Sequence, residues 1–255
     1  MAAPLPEDVR AAMMAVAEAG DCAAVQRLLA AHPAAAHATE GPNAPAPSWT
    51  ALHAAAIEGH AGVCKLIVDI NPQTALATGE DIDKQTPLHF AAEYGHAEAV
   101  RVLVAAAPEA AALPESFGFT PVWMTICEAH EAHFEAFGHL FMVGTTTEER
   151  LEMLAQWRYH DAGALAPLYA RVVAAGRLSA DQWARVPRPW PPVGRLLPAV
   201  LERSREEAGL LVQHLAPDQR AALRAAALSL SRAQARLRSK LPPELVAHIL
   251  CHMFA

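Results

Sequence analysis

The chain has 255 residues, of which 53% are hydrophobic but only 6% aromatic, and its formal net charge is −7. This length allows one or two domains with a buried core, and the excess of alanine favours closely packed helices over sheets. The negative charge argues against general nucleic-acid binding, and no apolar run reaches the ~20 residues that span a bilayer. We therefore expect an all-α protein whose partners include neither nucleic acid nor membrane.

The charge is unevenly divided along the chain. Residues 1–140 carry 17 acidic and 5 basic side chains, a balance of −12, whereas residues 141–255 carry 10 acidic and 15 basic ones, a balance of +5. Regions of opposite sign could dock on each other or attract different partners. The acidic first region favours a partner protein with a basic segment.

The cysteine pattern and the N-terminal sequence bear on location. Four scattered cysteines without a CxxC pair do not form a disulfide framework, which favours a reducing compartment. The opening MAAPLPEDVR lacks the basic and apolar regions of a signal peptide. We expect a monomer in the cytoplasm, with the nucleus as an alternative location.

The sequence repeats itself with a period near 35 residues. Residues 50–68 (TALHAAAIEGHAGVCKLIV) and 86–104 (TPLHFAAEYGHAEAVRVLV) share Thr, Leu-His, Ala-Ala and Gly-His at an offset of 36. Residues 120–125 (TPVWMT) open another copy, and residues 13–29 (MMAVAEAGDCAAVQRLL) are a degenerate one aligned on Gly20. A recurrence of this length predicts stacked supersecondary units.

These stretches resemble the ankyrin repeat, whose TPLHxAAxxGH hallmark is nearly complete at residues 86–96. The resemblance implies a solenoid of helix–turn–helix units, in which neighbouring repeats bury each other's apolar faces. It covers residues 8–140 and predicts four repeats, near residues 11–40, 48–83, 84–117 and 118–140.

The polar residues of the motif have structural roles. Thr86 suits a helix N-cap, Pro87 the first helical position, and Gly95 the left-handed residue that ends the helix. In ankyrin repeats, the imidazole at the position of His53 and His89 hydrogen-bonds the backbone and the neighbouring threonine. We therefore interpret these histidines as parts of the scaffold rather than as catalytic bases.

The fourth repeat contains a possible metal-binding pattern. Cys127, His130 and His133 are spaced by three residues, as zinc ligands can be. However, aligning Ala129 and His130 with the Gly-His turn places Cys127 and His133 on different helices, and a fourth ligand is missing. We expect no metal and no other cofactor.

Partners of ankyrin stacks usually bind the concave side, formed by the hairpin tips and the exposed side of each first helix. These positions directly precede the motif threonine or follow it by seven and eight residues. They mix aromatic and acidic side chains, as a protein-binding surface requires. An alternative is that the aromatic ones fill gaps between repeats. The candidate residues are Trp49, Ile57, Glu58, Asp83, Gln85, Glu93, Tyr94, Phe117, Phe119 and Glu128.

Beyond the repeats, helical signals continue without periodicity. We predict a helical extension over residues 141–186 and C-terminal helices over residues 193–255, including long ones near 193–215 and 217–239. Between them, PRPWPP at residues 187–192 is predicted to be a proline-rich linker. Its single PxxP could also be read as an SH3 ligand, but such motifs are common by chance.

The sequence ends in LPPELVAHILCHMFA, which predicts an amphipathic helix over residues 243–254. This stretch resembles the opening of an F-box and, more loosely, part of a suppressor-of-cytokine-signalling box. The resemblance implies docking to a cullin-ligase adaptor, whereas packing of the helix on its own domain is the alternative. The implied docking residues are Leu241, Pro242, Leu245, Ile249 and Leu250.

No catalytic motif accompanies these features. The sequence contains no P-loop, GxSxG, HExxH or dinucleotide fingerprint, so we predict that the protein is not an enzyme. We expect a scaffold that binds a partner protein through the concave face of its repeats. The alternative is a substrate-recognition adaptor of a cullin-type ubiquitin ligase.

Overall fold

A computed structural model describes residues 5–39, 49–79, 83–128, 131–157 and 162–237, with side chains except at residues 128, 131–132, 162–163, 191 and 229–237. The described residues are predominantly helical and form no strand; an isolated bridge joins Thr39 to Thr50. The prediction of an all-α protein is thus confirmed. The chain forms two compact units, Met1–Thr146 and Thr147–Ala255.

The described part of the first unit consists of four helix pairs. The motif threonines cap the first helices of the second and third pairs, as predicted. The helices are α1 (Glu7–Glu18) and α2 (Cys22–Ala31), α3 (Ala51–Ile57) and α4 (Ala61–Ile70), α5 (Pro87–Glu93) and α6 (Ala97–Ala106), and α7 (Pro121–Glu128) and α8 (Glu131–Leu140).

The pairs stack through two parallel layers of helices. First helices contact first helices, from α1 through α3 and α5 to α7, and second helices contact second helices, from α2 to α8. Leu88 and Leu103 are completely buried in these layers, and the small Ala55 and Ala91 let adjacent first helices approach closely. A single pair could not bury these faces alone, so the unit is stabilised by contacts between neighbours.

A short 3₁₀ helix follows each of the first three pairs, a feature that the motif did not predict. The 3₁₀ helices are Pro33–His37, Pro72–Leu76 and Pro108–Ala112, and each begins with proline. Proline suits a first helical position because it lacks the N–H that would be left unbonded there. The recurring proline is therefore a second repeat signal, located where each α-helical pair ends.

The second unit has no internal repeat. Its helices are α9 (Thr147–Gln156), α10 (Ala162–Ala175), α11 (Ala180–Ala184), α12 (Leu197–Arg203), α13 (Arg205–Val212) and α14 (Pro217–Leu237), with a 3₁₀ helix at Pro191–Leu196. The long helix predicted near 193–215 is divided into three pieces. Pro198 lies at the start of α12, and Ser204 caps α13 by accepting the N–H of Glu207.

The proline-rich segment 187–192, predicted to be a linker, packs within the second unit. Trp190 is only 2% exposed, and its backbone N–H donates to the backbone carbonyl of His214 at 2.7 Å. The buried imidazole of His214 donates from Nδ1 to the Pro187 carbonyl at 2.9 Å and accepts from Arg188 Nε at 3.2 Å. Buried backbone needs such partners, and the sequence pattern of prolines did not reveal them.

Among the described helices, none is both long and apolar enough to cross a membrane. The predicted amphipathic helix 243–254, with its implied docking residues, lies outside the described residues.

Candidate functional site

Two series of histidines connect successive repeats. The first column consists of His53 and His89, which cap the first helices, and the second column consists of His60, His96 and His133. The N–H of Thr86 donates to Nδ1 of His89 at 3.1 Å, so this nitrogen is an acceptor and Nε2 carries the proton. Nε2–H then donates to the carbonyl of Phe119 in the next repeat at 3.2 Å. His53 makes the same contacts, with Thr50 and with the carbonyl of Gln85. Both neutral imidazoles therefore act as structural braces, as the resemblance implied.

Burial keeps the first-column imidazole of His89 neutral. The ring is completely buried, and desolvation lowers its pKa, against smaller raising effects of the Phe119 carbonyl and the Glu115 carboxylate. A protonated Nδ1 would place its own N–H against the N–H of Thr86, so the hydrogen bond that caps α5 would be lost. The arrangement stabilises the helix start and does not provide a free base for catalysis.

The second column connects each repeat to the one before it. Nε2 of His60 donates to the Glu18 carbonyl at 2.9 Å, and Nε2 of His96 donates to the Ile57 carbonyl at 2.8 Å. His133 occupies the corresponding place in the fourth repeat, because its Nε2 donates to the Glu93 carbonyl at 2.7 Å.

The sequence alignment pairs His130, which lies outside the described residues, with the histidine of the turn. In the structure, His133 makes the hydrogen bond equivalent to those of His60 and His96. Cys127 lies on α7 and His133 on α8, as predicted. Among the residues that the structure describes, no group of three or more metal-ligating side chains is close enough to hold an ion.

The turn glycines make room for the second column. Gly59 has φ +74°, and a Cβ added there would lie 2.5 Å from the ring of His96. A Cβ at Gly95, with φ +73°, would lie 3.3 Å from the ring of His133. Glycine is therefore required both by the left-handed backbone and by the imidazole of the following repeat.

Both histidine columns end on the predicted binding positions. Histidines of the first column donate hydrogen bonds to the carbonyls of Gln85 and Phe119. Histidines of the second column donate to the carbonyls of Ile57 and Glu93. The backbone of these positions is thus fixed by hydrogen bonds, while their side chains vary between repeats. A rigid backbone with variable side chains suits a recognition surface because little entropy is lost on binding.

The ten candidate residues differ in exposure. Trp49 is half-buried with its ring 5.2 Å from Phe90, so it fills a gap between repeats. Ile57, Asp83, Gln85 and Glu93 are half-buried. Glu58 is exposed, and the side chain of Glu128 lies outside the described part. The large exposed aromatic residues are Tyr94 at 53%, Phe117 at 77% and Phe119 at 45%.

The two phenylalanines lie on a hairpin tip organised by a buried carboxylate. Oε1 of Glu115 accepts the N–H groups of Phe117 at 3.0 Å and Phe119 at 3.1 Å. The Glu115 N–H donates to the Phe119 carbonyl at 2.9 Å, and Gly118 adopts φ +91° to close the turn. We name residues 115–119 the aromatic tip. It exposes two apolar rings from a backbone that is held in place.

The aromatic tip is also hydrogen-bonded to the tip of the preceding repeat, which contains Asp83. The N–H of Ser116 donates to the carbonyl of Asp83 at 2.8 Å, which joins the two tips directly. Leu113, just before the aromatic tip, is 36% exposed. Asp83, Phe117 and Phe119 were predicted from the sequence, whereas Glu115 and Leu113 were not. The acidic residue two positions before Phe-Gly-Phe was the available signal, because such carboxylates accept nearby N–H groups.

Acidic residues recur at the C-terminal end of the first helices. Glu18, Glu93 and Glu128 are the last residues of α1, α5 and α7, and Glu58 is the C-cap of α3. An anion there opposes the helix dipole, at a cost of about 0.3–1 kcal/mol each. Stability of the individual helices does not explain this placement.

The cations near these acids are few. Between residues 49 and 128 the sequence has only Lys65, Lys84 and Arg101. Lys65 pairs with Asp69 on α4, and Arg101 pairs with Glu98 on α6, so these two cations belong to the second helices. The third cation, Lys84, is exposed on the tip between Asp83 and Gln85. The side of the repeat unit formed by the tips and first helices therefore carries one lysine among several carboxylates, and its exposed apolar groups are mainly aromatic.

The second unit has an open depression of about 400 Å³, lined by Arg177, Leu178, Ser179, Gln182, Glu206 and Glu207. Glu207 is buried, and its carboxylate accepts from Arg203 at 2.8 and 3.0 Å and from the Leu178 N–H at 2.9 Å. A carboxylate held by these three hydrogen bonds anchors α13. It is not poised to remove a proton from a substrate.

Cys64 likewise lacks the properties of a nucleophile. Its side chain is completely buried in α4, and burial raises the pKa of its thiol to about 12. Reactive cysteines have a lowered pKa and some exposure, because the thiolate is the reacting species. The thiol of Cys64 is a core group.

Comparison with known families identifies the repeats. Residues 12–112 match the model for ankyrin repeats, in three copies. The chain therefore contains an ankyrin-repeat unit, a class of domain that generally binds other proteins and is generally non-catalytic. The fourth helix pair, α7 and α8, lies beyond the matched range.

Similarity to individual proteins is limited. None of the curated protein sequences matches the chain. Among solved structures, the chain is similar to one in the crystal structure of the yeast ribosomal protein Rps3 in complex with its chaperone Yar1. The identity is 19% and the TM-score 0.44, covering 52% of this chain and 93% of that one.

Proposed function

We propose that this protein binds a partner protein through the concave face of its repeats, with the aromatic tip as the principal contact. The observation that carries the proposal is the rigid exposure of Phe117 and Phe119. A buried carboxylate and a left-handed glycine hold the tip in a conformation that leaves both rings in water. Exposed aromatic side chains on a fixed backbone are typical anchors of protein interfaces.

The neighbouring residues supply the rest of the surface. Tyr94 is exposed at the C-cap of α5, and the tip containing Asp83 is bonded to the aromatic tip. One helix of seven residues, about 10 Å long, separates Tyr94 from these tips. An extended segment of a partner could contact both ends. The acidic surroundings favour a partner with positive charge.

A capture experiment with a matched control tests the proposal. The 255-residue chain, its Phe117→Ala/Phe119→Ala variant and its Ile70→Ala variant are immobilised, and the retained proteins are quantified by mass spectrometry. Ile70 is 50% exposed at the end of α4, so it controls for the loss of an exposed apolar side chain elsewhere. We expect partners that the wild type and Ile70→Ala retain to be lost from the double variant. Equal retention by all three proteins would overturn the proposal.

Trp49 is a poorer choice for this test. Its ring packs on Phe90, so Trp49→Ala would disturb the contact between neighbouring repeats as well as the surface. Phe117 and Phe119 are more exposed, and circular dichroism of the double variant should match the wild type.

We propose ubiquitin-ligase recruitment as a second candidate function, supported only by the sequence LPPELVAHIL at residues 241–250. In this hypothesis the repeats select a substrate and the terminal segment docks on a cullin-ligase adaptor. Deletion of residues 241–255 should then abolish co-purification of the adaptor while substrate binding is unchanged. Adaptor recovery that does not depend on this segment would exclude the hypothesis.

A further inference from the structure

The chemistry of the concave face distinguishes between two kinds of basic partner. Carboxylates attract lysine and arginine alike, because both are cations. Exposed aromatic faces discriminate between them, since the planar guanidinium of arginine stacks on a ring and is weakly hydrated, whereas the lysine ammonium is compact and strongly hydrated. The balance of aromatic and acidic groups on this face is therefore informative about the partner.

Large exposed apolar side chains are concentrated on this part of the molecule. Of the six found among the described residues, four are Tyr94, Leu113, Phe117 and Phe119. Three of these are aromatic, and they lie on the side that also carries Asp83, Glu58 and Glu93. The fixed tip presents its rings without a change of backbone conformation, because Glu115 and Ser116 already hold it.

We propose that the partner segment is recognised through arginine rather than lysine. Guanidinium groups stack on the exposed rings of Phe117, Phe119 and Tyr94 while they pair with the neighbouring carboxylates. The occupant is an extended, arginine-containing segment of another protein. This inference rests on the proposed function, since it specifies the chemistry of the same face.

Synthetic peptides test the inference with the 255-residue chain. The probes are a peptide in which arginine alternates with glycine, its lysine analogue of equal charge, and its citrulline analogue, which keeps the shape of arginine without the charge. Affinities are measured by calorimetry at physiological salt. We expect the arginine peptide to bind about tenfold more tightly than the lysine peptide. The citrulline peptide should not bind measurably.

Variants locate the preference. In Phe117→Ala/Phe119→Ala the preference for arginine should decrease, and in the triple variant that adds Tyr94→Ala the two charged peptides should bind equally. Ile70→Ala should keep the tenfold difference. Equal affinity of the arginine and lysine peptides for the wild type would overturn the inference. A tenfold preference for arginine that persists in the triple variant would overturn it equally, because the three rings would not be its source.

The two proposals fail in distinguishable ways. If the concave face is not a binding site, cellular partners remain on the double variant in the capture experiment. If only the preference for arginine is wrong, those partners are lost from the double variant while the two charged peptides bind the wild type equally.

Discussion

The two units of the chain bury polar groups by different means. In the repeat unit, the same hydrogen bonds recur: His53 and His89 reach one repeat forward, and His60, His96 and His133 reach one repeat back. In the second unit, each buried polar cluster occurs once. The Glu207–Arg203 pair anchors α13, and His214 holds the proline-rich segment.

This difference affects how each unit responds to a mutation. The histidine hydrogen bonds between repeats recur at each interface. Loss of one of them therefore weakens one interface between neighbouring repeats and leaves the equivalent contacts elsewhere in place. Among the described residues of the second unit, the Glu207–Arg203 pair does not belong to a repeated series of contacts. Loss of one partner leaves the other charged group without its main contact.

The largest effect is expected from the buried ion pair of the second unit. Glu207→Ala leaves the N–H of Leu178 without its acceptor and leaves the guanidinium of Arg203 with the Val173 carbonyl in place of a carboxylate. The cost should be about 3 kcal/mol in the free energy of unfolding, the lower end for a buried pair, because the Arg203 side chain is 26% exposed. Glu98→Ala is the matched control in the repeat unit, because it removes an ion pair whose members are both exposed. Urea unfolding should show no clear change for the control.

Hydrogen exchange localises the effect of Glu207→Ala. Faster exchange should be confined to the second unit and should leave the repeat unit unchanged. Equal destabilisation by Glu98→Ala would show that the burial of the pair is not what makes Glu207 important.

An intermediate effect is expected from the turn glycines of the repeat unit. Gly59→Ala combines a left-handed backbone with a clash against the ring of His96 and should destabilise the protein by about 2 kcal/mol. Gly118→Ala is the control, because its φ is +91° but no atom lies within 4 Å of the added Cβ. Its cost should be smaller, as it includes the backbone strain alone.

Thermal unfolding of both glycine variants measures this difference. Equal losses of stability would indicate that the His96 ring moves freely and that the second histidine column does not constrain the turn.

The smallest effect is expected from mild acid, which acts on both units. Burial lowers the pKa of His89 in the first unit and of His214 in the second. Because the unfolded chain then takes up protons more readily than the folded one, stability is greatest above the ordinary histidine pKa of about 6.5. It decreases as the pH falls from there towards the folded-state pKa values.

Urea midpoints at pH 7.5 and pH 5.5 test this expectation. His89→Gln should be less stable than the wild type at pH 7.5 but should lose a smaller amount of stability on acidification. An unchanged pH dependence in this variant would exclude His89 as a contributor.

The repeat motif predicted the fold of the first unit because its residues act locally. Thr86, Pro87 and Gly95 determine where a helix begins and ends through their own hydrogen bonds and backbone angles. The motif did not predict the role of His133, since three additional residues shift it relative to the repeat and its partner is a carbonyl 40 residues away. The candidate aromatic residues were identified by position, but their exposure was not predictable.

The second unit was predicted less completely for a related reason. Helical signals were visible, and Ser179 with Gln182 forms a capping box at the start of α11. The position of Trp190 in the interior depends on Pro187 and His214, which are joined only after folding. Prolines alone gave no information about these contacts.

By itself the sequence determined the helical repeats, their caps and turns, and the acidic character of the first region, because these properties depend on neighbouring residues and on composition. Only the tertiary structure decided that Trp49 packs against Phe90, whereas Phe117 and Phe119 remain in water. The physical reason is that exposure depends on which groups of other repeats cover a side chain. For the aromatic tip, the buried Glu115 holds the backbone in place and leaves both rings uncovered.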